Sequence, residues 1–81
     1  MKANITGSNI RKIRLMNNLT QEDLAIKLNL QGLSFDRTII SKIENGIREV
    51  TDIELLYISK ALNASILDLF ENYIWLMIKE D

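Results

Sequence analysis

Helix starts recur at short intervals along these 81 residues, and no proline breaks what lies between them. Thr20 is followed by Asp23, Thr51 by Glu54 and Ser65 by Asp68, each a capping box or its acidic variant. Asp36 can cap another segment, with Phe35 just ahead of it placed to pack on Ile40 as a hydrophobic staple. Thr6 stands before the earliest helical pattern, and Gly32 and Gly46 stop the second and third. Punctuation this dense predicts an all-α domain of five short helices with few loops.

The apolar residues follow the same division. Ile10, Ile13 and Asn17 share one face of the first helix, with Arg14 beside them, while Leu15 and Met16 fall off that stripe. Leu24, Ala25 and Leu28 line the second helix. Leu55, Leu56, Ile58, Ala61 and Leu62 line the fourth, and Ile66, Leu69, Phe70 and Tyr73 the fifth. A chain of this length has room for one core. The sequence contains neither cysteine nor histidine, so disulfides, the usual zinc sites and imidazole catalysis are all excluded. No cofactor or metal is implied. The longest apolar run, Tyr73 to Ile78, is far shorter than the roughly 20 residues of a membrane span. The opening residues lack the apolar stretch of a signal peptide, so a cytoplasmic location is expected. Three Asn-x-Ser/Thr tripeptides, at Asn4, Asn18 and Asn63, each end in a hydroxyl residue before a helical pattern, and capping explains them better than glycosylation.

The third segment, FDRTIISKIENG, carries the strongest functional signal. At about 100° per residue, Arg37, Thr38, Ser41, Lys42 and Asn45 fall within an arc of about 140°. Ile39, Ile40 and Ile43 lie opposite. The polar arc holds two cations and three hydrogen-bonding side chains but no acid. A face that is merely solvated usually mixes both signs. The net charge of −1 hides a matching asymmetry. Residues 1–48 hold eight cations against four acids, and residues 49–81 two cations against seven acids. Such a division suits a front that meets a polyanion and a back that offsets it.

Taken together, LTQEDLA (Leu19 to Ala25), IISKIENG (Ile39 to Gly46) and TDIELLYISKALNASILDLF (Thr51 to Phe70) resemble the phage repressor/Cro-like helix-turn-helix regulators of the xenobiotic-response-element type. The likeness spans residues 8–70. It implies a five-helix lambda-repressor-like fold with the helix-turn-helix at helices 2 and 3. It also implies sequence-specific binding of double-stranded DNA by a homodimer acting as a transcriptional regulator, most simply a repressor. Matched position by position, Arg37, Thr38, Ser41 and Lys42 would face base edges in the major groove. Gln21, Asn45 and Arg48 would contact DNA phosphates, and Arg14 and Glu44 would form an ion pair tying helix 1 to helix 3. The sequence departs from the family pattern in two places. The connection from Ala25 to Gly46 is longer than the commonest form, so NLQGLSF extends helix 2 or enlarges the turn. Ile39 replaces a small hydroxyl residue, and it either packs inward or touches a thymine methyl.

Residues 1–72 are expected to form the DNA-binding domain and residues 73–81 an apolar extension. Beyond Tyr73 the pattern loses its polar side, so the extension either covers the core or forms a dimer surface through Ile74, Trp75 and Ile78, as helix or as strand. An enzyme is not expected, because no pair of the eleven carboxylates stands out with a partner and a pocket. The competing reading is a protein-binding module on the same fold, such as an antitoxin or anti-repressor.

Overall fold

The computed structural model describes residues 2–74. Its elements are α1 (Gly7–Met16), α2 (Gln21–Leu30), α3 (Arg37–Glu44), α4 (Asp52–Ala61) and α5 (Ile66–Leu69), followed by a 3-10 turn at Glu71–Tyr73. There is no strand among the described residues. No described helix is long and apolar enough to cross a membrane, and no described cluster of acidic side chains could hold a metal ion.

The capping signals behave as local chemistry requires. Reciprocal boxes form at Thr20–Asp23, Thr51–Glu54 and Ser65–Asp68, and Asp36 Oδ1 accepts the Ile39 N–H at 2.8 Å. Thr6 differs. Its hydroxyl is buried and makes no capping bond, and Asn4 Oδ1 instead accepts the Gly7 N–H at 2.8 Å.

The stops hold more regularity than the glycines suggest. Gly32, Gly46, Asn18 and Asn63 all take positive φ one residue beyond a helix C-cap. After each, the next amide reaches back to the last turn: Leu19 to Arg14, Leu33 to Leu28, Ile47 to Lys42 and Ala64 to Ser59. This is the Schellman closure, and asparagine is the side chain that best substitutes for glycine in it. Asn18-Leu19-Thr20 and Asn63-Ala64-Ser65 are therefore complete interhelical links. Each supplies a left-handed stop, an apolar residue packed against the core and the N-cap of the next helix.

Ile10, Leu24, Ala25, Leu28, Phe35, Ile40, Ile43, Ile58, Leu62 and Leu69 form the core, and Phe35 and Ile40 share it as the staple requires. α3 packs on both α1 and α2, α4 on α2, and α5 on α1 and α4. The longer connection is absorbed as a turn. α2 ends at Leu30, Asn29 Oδ1 accepts the Phe35 N–H at 3.0 Å, and Asp36 restarts the chain as α3. Ile39 is half-buried and packs on the core. Leu56 departs from the expected α4 stripe: it is 59% exposed, because α4 turns Ile58 and Leu62 inward and leaves Leu56 outside. Leu15 and Met16 are both exposed.

Candidate nucleic-acid interface

An eight-residue helix such as α3 is too short to hold itself together in water, so its orientation comes from what its inner face touches. Ile40, Ile43 and Glu44 are buried on that face. Glu44 is the acid of a polar knot linking three helices. Arg14 Nε donates to Glu44 Oε2 at 2.7 Å and Arg14 Nη2 donates to Oε1 at 3.0 Å, a two-pronged contact. Arg14 Nη1 donates to the Leu19 carbonyl at 2.7 Å, and Gln21 Nε2 donates to Glu44 Oε1 at 3.1 Å. The two charged side chains are 7% and 1% exposed, so each depends on the other for its loss of water.

The outward face of α3 carries Arg37, Thr38, Lys42 and Asn45, all exposed, with Ser41 half-buried between them. Asn45 Nδ2 lies 3.4 Å from Ser41 Oγ. Among the described residues neither Arg37 nor Lys42 has an acid within ion-pairing distance. Gln21 and Arg37 border one concavity with Arg14, Leu15, Leu19, Thr20 and Glu22, so the start of α2 and the start of α3 open onto the same surface. At that start Thr20 Oγ1 takes the Asp23 N–H, while the Gln21 and Glu22 amides, in the first turn, have no intrahelical acceptor.

Gln21, Asn45 and Arg48 meet different fates. Asn45 projects outward. Gln21 is half-buried with its amide nitrogen on Glu44, which uses one of that nitrogen's two hydrogens. Arg48 is turned toward α4. Its Nη1 and Nη2 donate to the two carboxylate oxygens of Glu54 at 3.1 Å each, Nη1 also donates to the Glu49 carbonyl, and the guanidinium lies 5.1 Å from the centre of the Phe35 ring. This contact, formed across the turn that leaves α3, has no signature in the sequence. Ile74 is half-buried, whereas Trp75 and Ile78 lie outside the described residues. The expected division at residue 72 crosses the 3-10 turn, where the Tyr73 N–H donates to the Phe70 carbonyl at 2.7 Å. Ile53 and Leu56 are exposed on α4 and line a shallow apolar groove with Leu55, Ile66 and Phe70; Leu67 is exposed on α5.

Two outcomes follow from the ion pairs. Arg14→Ala or Glu44→Ala alone should cost about 3–5 kcal/mol of stability, because each leaves a buried charge without its counterion. The double variant should cost clearly less than the sum, and a double-mutant cycle on urea unfolding measures the difference. A coupling energy near zero would mean that the pair does not hold α1 to α3. The second outcome concerns acid. Hydrogen bonding from Arg48, aided by the Thr51 N–H, holds the Glu54 carboxyl below its ordinary value of 4.5. A depressed carboxyl adds stability above that value and loses it as the pH falls through the folded pKa. The advantage of the parent over Glu54→Gln should therefore be full at pH 7 and shrink below about pH 4.5, as urea midpoints across that range would show.

The helix-turn-helix family model matches residues 10–69. Control protein C.SmaI of Serratia marcescens is 42% identical over 62 residues, which make up 76% of this chain and 68% of that protein. The restriction-modification controller protein C.Esp1396I, in the crystal structure of its tetramer with its natural 35-base-pair operator, is 42% identical, with a TM-score of 0.69 and 91% of each chain covered. The restriction-modification controller protein C.AhdI of Aeromonas hydrophila is 29% identical, with a TM-score of 0.71 over 80% of this chain and 87% of that one. With Arg14 of α1 and Gln21 of α2 both bonded to Glu44 of α3, and with the family pattern covering most of its length, this chain belongs to the helix-turn-helix family.

Proposed function

We propose that this protein is a sequence-specific double-stranded-DNA-binding regulator of transcription, similar to the restriction-modification controller proteins, and that α3 reads the major groove. The observation that carries the reading is the acid-free outer face of α3, where Arg37 and Lys42 stand without ion-pair partners among the described residues. Similarity to a controller protein described in complex with its operator supports it. Arg37, Thr38, Ser41 and Lys42 are the base-contacting set. Arg37 is suited to guanine, whose O6 and N7 match a guanidinium fork. Gln21 and Asn45 position the domain on phosphates, and Arg48 reaches a phosphate only through the donors that Glu54 leaves free. Glu44 fixes the Gln21 amide while leaving its second hydrogen for a phosphate oxygen, beside the unpaired first-turn amides of α2. Arg48 keeps donors beyond those it gives to Glu54, but its charge is already largely offset. A regulator of this kind works in the compartment that holds the DNA, the cytoplasm in a bacterial cell.

The same reading includes a homodimer. Ile53 and Leu56, with the groove they share with Ile66 and Phe70, leave an apolar surface on α4 and α5, and exposed patches of this kind mark interfaces. Ile74, Trp75 and Ile78 extend the proposed contact on sequence grounds. Two copies would address half-sites roughly 34–36 Å apart, one turn of DNA.

Selection from a random duplex pool, followed by binding titrations, tests the reading. The parent should shift duplex DNA in a salt-sensitive way. Arg37→Ala and Lys42→Ala should weaken the selected site by about 1–3 kcal/mol beyond their effect on random DNA. Equal losses on both would remove α3 as the reader, and no shift by the parent would favour the protein-binding alternative. For the dimer, Leu56→Glu places a charge where the single chain is already open to water, so folding should be spared. Sedimentation should show it monomeric, with sharply weaker operator binding. A parent that sediments as a monomer at high micromolar concentration would end the dimer proposal.

A further inference from the structure

The segment before α1 is strapped across the exit of α3. The Ala3 N–H donates to the Gly46 carbonyl at 2.7 Å. Asn4 Nδ2 donates to the carbonyls of Ile43, at 3.1 Å, and Arg48, at 2.7 Å, while Asn4 Oδ1 accepts the Gly7 N–H. One side chain therefore satisfies a carbonyl in the last turn of α3, another in the chain leaving it, and the first amide of α1. Gly7 is part of the same device: a Cβ there would be driven into the Ile43 carbonyl oxygen, so only glycine lets α1 start this close to the end of α3.

The strap fixes where Lys2 lies. Its stem carbons sit 3.1–3.4 Å from the position a Cβ on Gly46 would occupy, one residue beyond Asn45. Lys2 is exposed and has no ion-pair partner among the described residues. At this same exit, Arg48 is drawn away onto Glu54. Among the described residues Lys2 is thus an unpaired cation at the exit of α3, against Gly46, the residue after Asn45.

We propose that Lys2 is a DNA-phosphate contact and that Asn4 is its positioning residue. The inference rests on the DNA-binding reading above and adds to it a residue far from the helix-turn-helix in sequence. An ammonium is a compact point charge on a flexible stem, which suits a phosphate better than the fixed pattern of a base edge. A lysine beside the carbonyl end of a helix also offsets the helix dipole. That role alone would stabilise the fold without touching DNA, so binding and stability must both be measured.

The experiment uses the full chain with two probes, a random-sequence duplex and the duplex that the parent selects from a random pool, titrated between 50 and 200 mM salt. Lys2→Gln should weaken binding to both. The affinity ratio of parent to Lys2→Gln should fall about 3- to 4-fold across that fourfold rise in salt, the signature of one lost phosphate contact. Lys2→Arg should restore the salt dependence. Asn4→Ala should show the same flattening while remaining folded by circular dichroism, and adding Lys2→Gln to it should flatten the dependence no further. A Lys2→Gln variant with lower thermal stability but the parent's salt dependence would overturn the proposal and leave Lys2 as a helix cap. A loss confined to the selected duplex would also overturn it, by making Lys2 a base reader. If the parent itself binds neither duplex, the DNA-binding reading fails and takes this inference with it; if the parent binds and Lys2→Gln keeps its salt slope, only this inference fails.

Discussion

The buried contact between Arg14 and Glu44 is the constraint on which the outer surface depends. α3 is the shortest of the four longer helices, and its inner side offers only two fully buried apolar residues, Ile40 and Ile43. Apolar burial is non-directional and would tolerate some rotation of the helix about its axis. A two-pronged guanidinium–carboxylate contact does not, since both hydrogen bonds must be met at once. The knot therefore fixes the rotation of α3, and with it the direction in which Arg37, Thr38 and Lys42 leave the domain. Gln21 joins the same carboxylate from α2, so the start of one helix and the whole of another are referred to a single buried oxygen pair. The separation of inside from outside on α3 is in this sense an electrostatic result as much as a hydrophobic one.

A second ion pair does the opposite work. Arg48 would add a cation to the polar face if its side chain extended outward, but Glu54 and the Phe35 ring hold it against the body of the domain. Glu54 is at the same time the acid of the α4 capping box, accepting the Thr51 N–H. One carboxylate thus starts α4, anchors the chain that leaves α3 and offsets a positive charge. The uneven charge of the two halves of the sequence is partly consumed by this contact: an arginine counted in the basic half is neutralised by an acid of the other half. Net charge along the chain overstates the cations available at the surface, and the three-dimensional pairing decides which ones remain.

How much could be read in advance follows the range of each interaction. The starts at Thr20, Asp36, Thr51 and Ser65 were legible because an N-cap and its partner lie within one turn. Gly32 and Gly46 were legible as stops for the same reason. Asn18 and Asn63 are hidden, since asparagine enters the left-handed conformation less readily than glycine and serves equally well elsewhere, as in N-caps and turns. Thr6 misleads, because its hydroxyl is buried without a capping bond, and the start of α1 is held instead by Asn4, which takes the Gly7 amide while meeting Ile43 and Arg48. Leu56 was misplaced because helical spacing looks alike whether an apolar face covers the core or lies open. The pairing of Arg14 with Glu44 spans thirty positions and came from resemblance, not from spacing.

The same distinction bears on the extra length between α2 and α3. A longer connection threatens the relative angle of two helices only if nothing else fixes that angle. Here the added residues close on themselves: Leu33 returns to the Leu28 carbonyl, Asn29 holds the Phe35 amide, and Phe35 enters the core beside Ile40. The turn is thereby tied at both ends before Asp36 begins α3. The angle between the helices is carried elsewhere, by Glu44 reaching Arg14 on α1 and Gln21 on α2. Leu30, 83% exposed at the end of α2, marks where the additional chain leaves the packed region without pulling on it. The turn lies outside the contacts that orient the outer face of α3.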